Sequence, residues 1–289
     1  LILSNILTEK NFKYIEKIIN PLFVDKFILN IKIKDEKIIN NNYYSIIRIN
    51  YNINSIIEYL IINKINYTNH LHPKFLIIVN EKNEIENNFL SKKNNYYKFL
   101  SETKDQLHYN FLLPNLDYND RFIFNKNVYE DNLFEGLKKL SHKYQTEYQI
   151  FINSQKSENT YNIKSFLFDN KNFYLINETN IKNLDYKKFF LNINYKSIDK
   201  WKEINQIDTS YTNEIFCKIN INNQNELMFL SNILNSESII KFLNLKSIKY
   251  KENIYKIIYF GEIDIFIKSL KRYRLKLTIQ NNKCNIRII

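Results

Sequence analysis

His108-Tyr109-Asn110-Phe111-Leu112-Leu113-Pro114, an apolar run closed by a proline, leads into the acidic turn Asn115-Leu116-Asp117-Tyr118-Asn119-Asp120. Further on, Asn132 to Tyr144 repeats Leu133, Leu137, Leu140 and Tyr144 every three or four residues, the spacing of one helix face. A second apolar run, Glu147-Tyr148-Gln149-Ile150-Phe151-Ile152, follows at once. Strand, loop, helix and strand in that order make a crossover unit, which places a partly parallel sheet in the middle of the chain.

Working outward, Lys74-Phe75-Leu76-Ile77-Ile78-Val79 is an unbroken apolar run of the kind that lies inside a sheet covered on both faces. A helix is expected over 97–107, a hairpin over 163–168 and 173–176 across Asp169-Asn170-Lys171-Asn172, and a helix carrying Trp201 over 186–204. These elements define a central α/β domain over 70–209 with a mixed sheet and the order β-α-β-α-β-β-β-α.

Residues 1–69 read as an α-β-β-α module. A helix over 11–23 ends at Pro21, strands over 26–33 and 43–51 flank Asn40-Asn41-Asn42, and a helix runs over 54–63. In the second strand Ile47, Ile49 and Tyr51 alternate with Arg48 and Asn50. Residues 210–289 alternate strands and helices in a way that suits a ferredoxin-like β-α-β-β-α-β module. A shift of 210 positions aligns Ile53, Ile57 and Leu60 with Ile263, Ile267 and Leu270, which suggests a shared architecture for the two flanks. The fold class is therefore α+β with an α/β centre, in three consecutive small units.

The 289 residues are 44% hydrophobic, a composition that fits a folded chain. Asn, Lys, Ile, Tyr and Phe are in excess and alanine is absent, the imprint of A+T-rich codons. That bias also accounts for much of the net charge of +12. Arginine, the residue whose fork reads bases and phosphates, occurs only at 48, 121, 272, 274 and 287, and the lysines are spread along the chain. A solvated basic surface is the preferred reading, with a nucleic-acid or anionic-surface binder as the alternative. No run of 18 apolar residues is present. The chain starts at Leu1, which points to a removed leader or a truncated fragment.

Candidate chemistry is sparse. Asp117 and Asp120, past the carboxyl end of a strand, offer two carboxylates for a cation or for acid–base work, against the preferred role of capping the next helix. His70 and His72 share a side if the chain is extended and are metal candidates without a third ligand at recognisable spacing. Cys217 and Cys284 make neither a disulfide framework nor a zinc site; they fall on neighbouring strands if the last module is ferredoxin-like and could form one bond in an oxidising compartment, although two separate buried thiols is the preferred reading. His108 and His142 are solitary. With only Gly136 and Gly261, no GxGxxG or phosphate loop exists, and no serine sits in a nucleophile elbow. No cofactor is implied.

Three places carry a family resemblance. His72-Pro73-Lys74-Phe75-Leu76-Ile77-Ile78-Val79 places a proline before an apolar strand, Leu113-Pro114-Asn115-Leu116-Asp117-Tyr118-Asn119-Asp120 matches an LP-x-x-D-x-x-D turn, and Leu137 to Ile152 runs a helix ending in Tyr144 into a strand. In these the chain resembles the proteobacterial "domain of unknown function 2066" family of exported envelope proteins. At the third place Gln145-Thr146-Glu147 replaces the family's Gly-Ala-Asp, which makes a left-handed helix end costlier. At the level of fold the middle domain is similar to the TolB amino-terminal type. The resemblance implies a periplasm-facing, non-enzymatic accessory protein that meets a protein partner in the cell envelope. A metal-dependent hydrolase using Asp117, Asp120, His70 or His72 is a further alternative.

Overall fold

The computed structural model describes residues 2–103, 109–124, 133–158, 160–220, 223–249, 252–280 and 283–288. His108, the end of the helix expected over 97–107, Asn132, Ile221 and the Asn281-Asn282 turn lie outside the described residues. The chain divides into two units, one made of Leu1–Leu71 together with Asn205–Ile289 and the other of His72–Ile204.

The first segment opens with α1 (Ile2–Ile6), α2 (Glu9–Glu16) and α3 (Pro21–Asp25). One helix was expected over 11–23 with Pro21 as its far end, but Pro21 instead starts α3. Proline suits a first helical position because its missing N–H would be unpaired there anyway, and Asn20 caps the new helix by accepting from the Phe23 N–H at 2.9 Å. β1 (Ile28–Ile39) and β2 (Asn42–Tyr51) pair antiparallel as a two-stranded sheet. Asn40 and Asn41, both at positive φ, make the tight turn. β1 runs six residues beyond the expected strand end because a bulge between Lys34 and Lys37, with Asp35 at φ 53°, absorbs the Lys-Asp-Glu-Lys run that breaks the alternation. α4 (Ile53–Ile62) follows, capped by Asn52 and burying Ile56 and Leu60.

In the second unit β3 (Phe75–Lys82) is fully covered from Phe75 to Val79. α5 (Asn95–Thr103), β4 (Phe111–Leu112), α6 (Tyr118–Phe122), α7 (Leu133–Tyr144) and β5 (Gln149–Ser157) follow, and β3 pairs parallel with both β4 and β5. β6 (Thr160–Phe168) and β7 (Phe173–Ile181) add antiparallel strands, giving the mixed order β4-β3-β5-β6-β7. α8 (Tyr186–Asn205) carries the buried Trp201. α7 buries Leu137 and Leu140, and Phe190 of α8 joins Tyr96 and Leu100 of α5 in the same core cluster. The short helix α6 occupies what the sequence showed as an acidic turn.

The last segment contributes β8 (Thr212–Asn220), α9 (Gln224–Ser236), β9 (Ile240–Lys249), β10 (Glu252–Phe260), α10 (Ile263–Lys271), β11 (Leu275–Gln280) and β12 (Lys283–Ile288). Their sheet has the order β11-β12-β8-β10-β9. In a ferredoxin-like module the strand after the second helix lies antiparallel beside the first strand. Here β11 sits one place further out, and β12, turned back by a hairpin, lies parallel to β8 in that slot.

The two flanks, expected as separate modules, share one core. Leu7, Ile15, Ile56 and Leu60 from the first segment pack in a cluster with Ile219, Ile257, Phe266 and Leu270 from the last. No residue of β1 or β2 is buried, so the first segment has too little apolar burial for a core of its own. Hydrogen bonds reinforce the join: Tyr67 bridges Ile207 through the backbone, and Asn66 Oδ1 accepts from the Thr209 N–H at 3.1 Å. Both α4 and α10 directly follow a hairpin, as the 210-residue shift suggested, but only the later one is followed by a strand in the sheet. The molecule is thus mixed α+β, and among the described residues no helix is long and apolar enough to cross a membrane.

Candidate functional site

The acidic turn is built as a clamp. Asp117 caps α6 by accepting from the Asp120 N–H at 2.8 Å. Asp120 is fully buried, and both its carboxylate oxygens are engaged: Oδ1 with Lys143 Nζ at 2.7 Å, Oδ2 with the Leu116 N–H at 2.9 Å and the Tyr144 hydroxyl at 2.8 Å. Lys143 also reaches Asp117 Oδ1 at 3.1 Å, and Tyr144 Oη accepts from the Asn115 N–H at 2.7 Å. The Asp120 N–H, followed by Lys143, holds Asp117 below the usual carboxylate range. Asp120 holds Lys143 above the usual lysine range, while burial pushes the Tyr144 hydroxyl up to about 12. Chemically the arrangement fastens the end of α7 to the turn before α6. A cation at Asp120 would have to displace Lys143 and an N–H from oxygens they already occupy.

His70 and His72 fall in different units and each has its own polar partner. His70 Nδ1 lies 2.8 Å from Asn69 Oδ1, in the first unit. His72, in the second, lies with Nδ1 2.7 Å from Asn110 Nδ2, stacks on Phe75 and meets the edge of Trp201. Burial pushes His72 below the usual histidine range, against a backbone hydrogen bond to Pro73 that favours the charged ring, with Lys202 adding to the fall. Among the described residues no group of three or more His, Cys, Asp or Glu side chains is placed to hold a metal.

The cysteines, preferred as two separate thiols, are joined. β12 lies parallel to β8 with Cys284 directly opposite Cys217, Cα atoms 4.4 Å apart, and the two sulfurs form a disulfide spanning 67 positions of sequence. Both residues are buried. The strand inserted beside β8 is what makes them neighbours.

The β1–β2 ribbon leaves its large apolar side chains exposed. Its register pairs Ile31 with Ile49, Ile33 with Ile47 and Ile38 with Tyr43. Alternation places these six side chains on one face, where each is between 41% and 76% exposed. Lys32, Lys34, Lys37 and Arg48 fall on the reverse face, together with the exposed Ile39, Tyr44 and Ile46. Glu36, in the bulge, accepts from the Tyr43 hydroxyl at 2.7 Å. At the ribbon's base a cavity of about 430 Å³ is lined by apolar side chains including Ile2, Phe12, Phe23 and Phe27, together with Tyr51, the last residue of β2 and a member of the apolar face by alternation.

The sequence showed the alternation in β2 but not that its apolar face would be left uncovered, because a half-buried strand has the same pattern. It also gave no sign of a second polar cluster. Glu237, almost fully buried, accepts from Asn69 Nδ2 at 3.0 Å and from the Ser269 hydroxyl, with Arg272 at 3.7 Å. Asn69 and Ser269 alone are 200 positions apart, and no local spacing links these residues.

No protein-family model matches the sequence, and no curated protein matches it. Among solved structures the chain is similar to the LpoB C-terminal domain from Salmonella enterica, with 9% sequence identity and a TM-score of 0.26 over 45% of this chain and 94% of that one. A superposition this loose ties no residue of the chain to a residue of that domain.

Proposed function

We propose that this protein is a non-enzymatic accessory protein of the cell envelope that works by docking another protein on its β1–β2 ribbon. The observation that carries the reading is the ribbon itself: two long strands without a buried residue, paired among the described residues with each other alone, present an apolar face broken at Ser45. A two-stranded ribbon is marginal alone in water, and an apolar face of this kind marks an interaction surface. The Cys217–Cys284 bond supports a compartment outside the reducing cytoplasm. The resemblance to the exported "domain of unknown function 2066" family supports the same compartment. The engaged oxygens of Asp120 and the separate settings of His70 and His72 favour a scaffold over a hydrolase.

The test is a photo-crosslinking residue at position 33 or 47 in cells, followed by identification of what is joined. The expected product is an envelope protein or a second copy of this chain; products that are only cytoplasmic, or none at all, overturn the reading. The cationic reverse face favours a second reading, an anionic-surface or nucleic-acid binder. That reading requires affinity to fall steeply as salt rises, and a flat salt titration sinks it.

A further inference from the structure

We propose that the occupant of the ribbon's apolar face is a second copy of this chain, joined about a two-fold axis with the two ribbons face to face. The proposal names the partner in the docking reading above and rests on it. Area supplies the first argument. Six large side chains, each about half uncovered, offer roughly 600 Å² per copy and so roughly 1,200 Å² across a pair, the lower end of what a specific interface buries.

Charge supplies the second argument. Lys32, Lys34, Lys37 and Arg48 set cations among Ile39, Tyr44 and Ile46 on the reverse face and make stacking through that side repulsive, so face-to-face stacking of two ribbons is favoured through Ile31, Ile33, Ile47 and Ile49. An acidic partner would find its cations on the reverse face and not here. Shape supplies the third. Two-fold pairing with the strands antiparallel carries the tip residues Ile38 and Tyr43 of each copy toward the base of the other, where the cavity beside Tyr51 offers apolar lining. Glu36 opposes the association, because its carboxylate stands beside the face that becomes dry.

The experiment is sedimentation of the full chain over a concentration series, with the disulfide intact. Wild type is expected to pass from monomer to dimer. Ile33→Lys with Ile47→Lys is expected to weaken pairing by roughly tenfold or more. Lys32→Glu is expected to leave the apolar contact in place, and Glu36→Gln to tighten it. Because the exchanged residues are exposed and outside the core, circular dichroism of each variant should match wild type. A monomer at every concentration, or a dimer indifferent to Ile33→Lys/Ile47→Lys, overturns self-pairing. If the monomer is instead crosslinked through position 33 to a different protein, docking stands and self-pairing fails. If the apolar face is required for binding anionic lipid vesicles and for nothing else, both fail.

Discussion

Removing the Cys217–Cys284 bond tests the architecture of the first unit most directly. The bond closes a loop of 67 positions, and the chain-entropy relation for a loop of that length gives about 4 kcal/mol of stabilisation. The perturbation is Cys217→Ala with Cys284→Ala, compared with wild type in the presence and absence of a reductant. Two signals separate the units. Trp201 is the single tryptophan and lies buried in the second unit, which contains neither cysteine. Far-ultraviolet circular dichroism reports both units. In urea the Trp201 emission transition should therefore hold its midpoint, while the circular-dichroism transition belonging to the first unit moves to lower denaturant. Reduced wild type and the double variant should then nearly coincide. The reasoning is refuted if reductant moves neither transition, or if unreduced, unfolded protein takes up two alkylating groups.

Three other perturbations follow from the packing. Asp120→Ala strands the Leu116 N–H and leaves Lys143 and Tyr144 without their shared acceptor, so it should cost the second unit about 2 kcal/mol in chemical denaturation; a change within error would show the clamp to be idle. His72 is held neutral by burial, so its folded pKa lies below the ordinary value of about 6.5 and the unfolded chain binds more protons between the two. Its contribution is fully present above that value and is lost as pH falls toward the depressed folded pKa, so Trp201-monitored stability should decline on acidification and His72→Asn should flatten the decline. Gly261 has φ +67°, and an added Cβ would meet the Asp208 backbone N at 3.0 Å. Gly261→Ala should therefore lower stability by about 1–2 kcal/mol, measurable as a lower urea midpoint.

What could be read in advance was local. Phe75 to Val79 announced a covered strand because five successive apolar residues fit no one-sided element, and the structure buries all five. Leu137 and Leu140 likewise fixed the inner side of α7. Pro21 was misread because a proline ends one helix and begins the next with equal ease, and only the Asn20 cap distinguishes the two. The bulge at Asp35 hid the second half of β1, since a run of four charged residues looks like a turn. The capping role of Asp117 was visible in its spacing, but the partners of Asp120 on α7 were not. The placement of β12 beside β8, and with it the meeting of the two sulfurs, depends on pairing between segments 67 positions apart. The ferredoxin-like order of elements already makes the two cysteine strands neighbours, but it does not show the hairpin that sets β12 parallel beside β8 and moves β11 outward.

The first unit is assembled from segments that flank the second, with contacts such as Asn69 to Ser269 reaching across 200 positions. During synthesis His72–Ile204 is complete, and free to fold, while α1 through α4 still lack β8 to β12. For that interval Leu7, Ile15 and Leu60 lack their partners from the last segment, and the β1–β2 ribbon hangs on an unfinished base. Whatever shelters the nascent chain must cover these early residues until the last eighty or so have emerged. Pausing or truncation after α8 is accordingly expected to leave a folded middle beside a sticky, unclosed beginning.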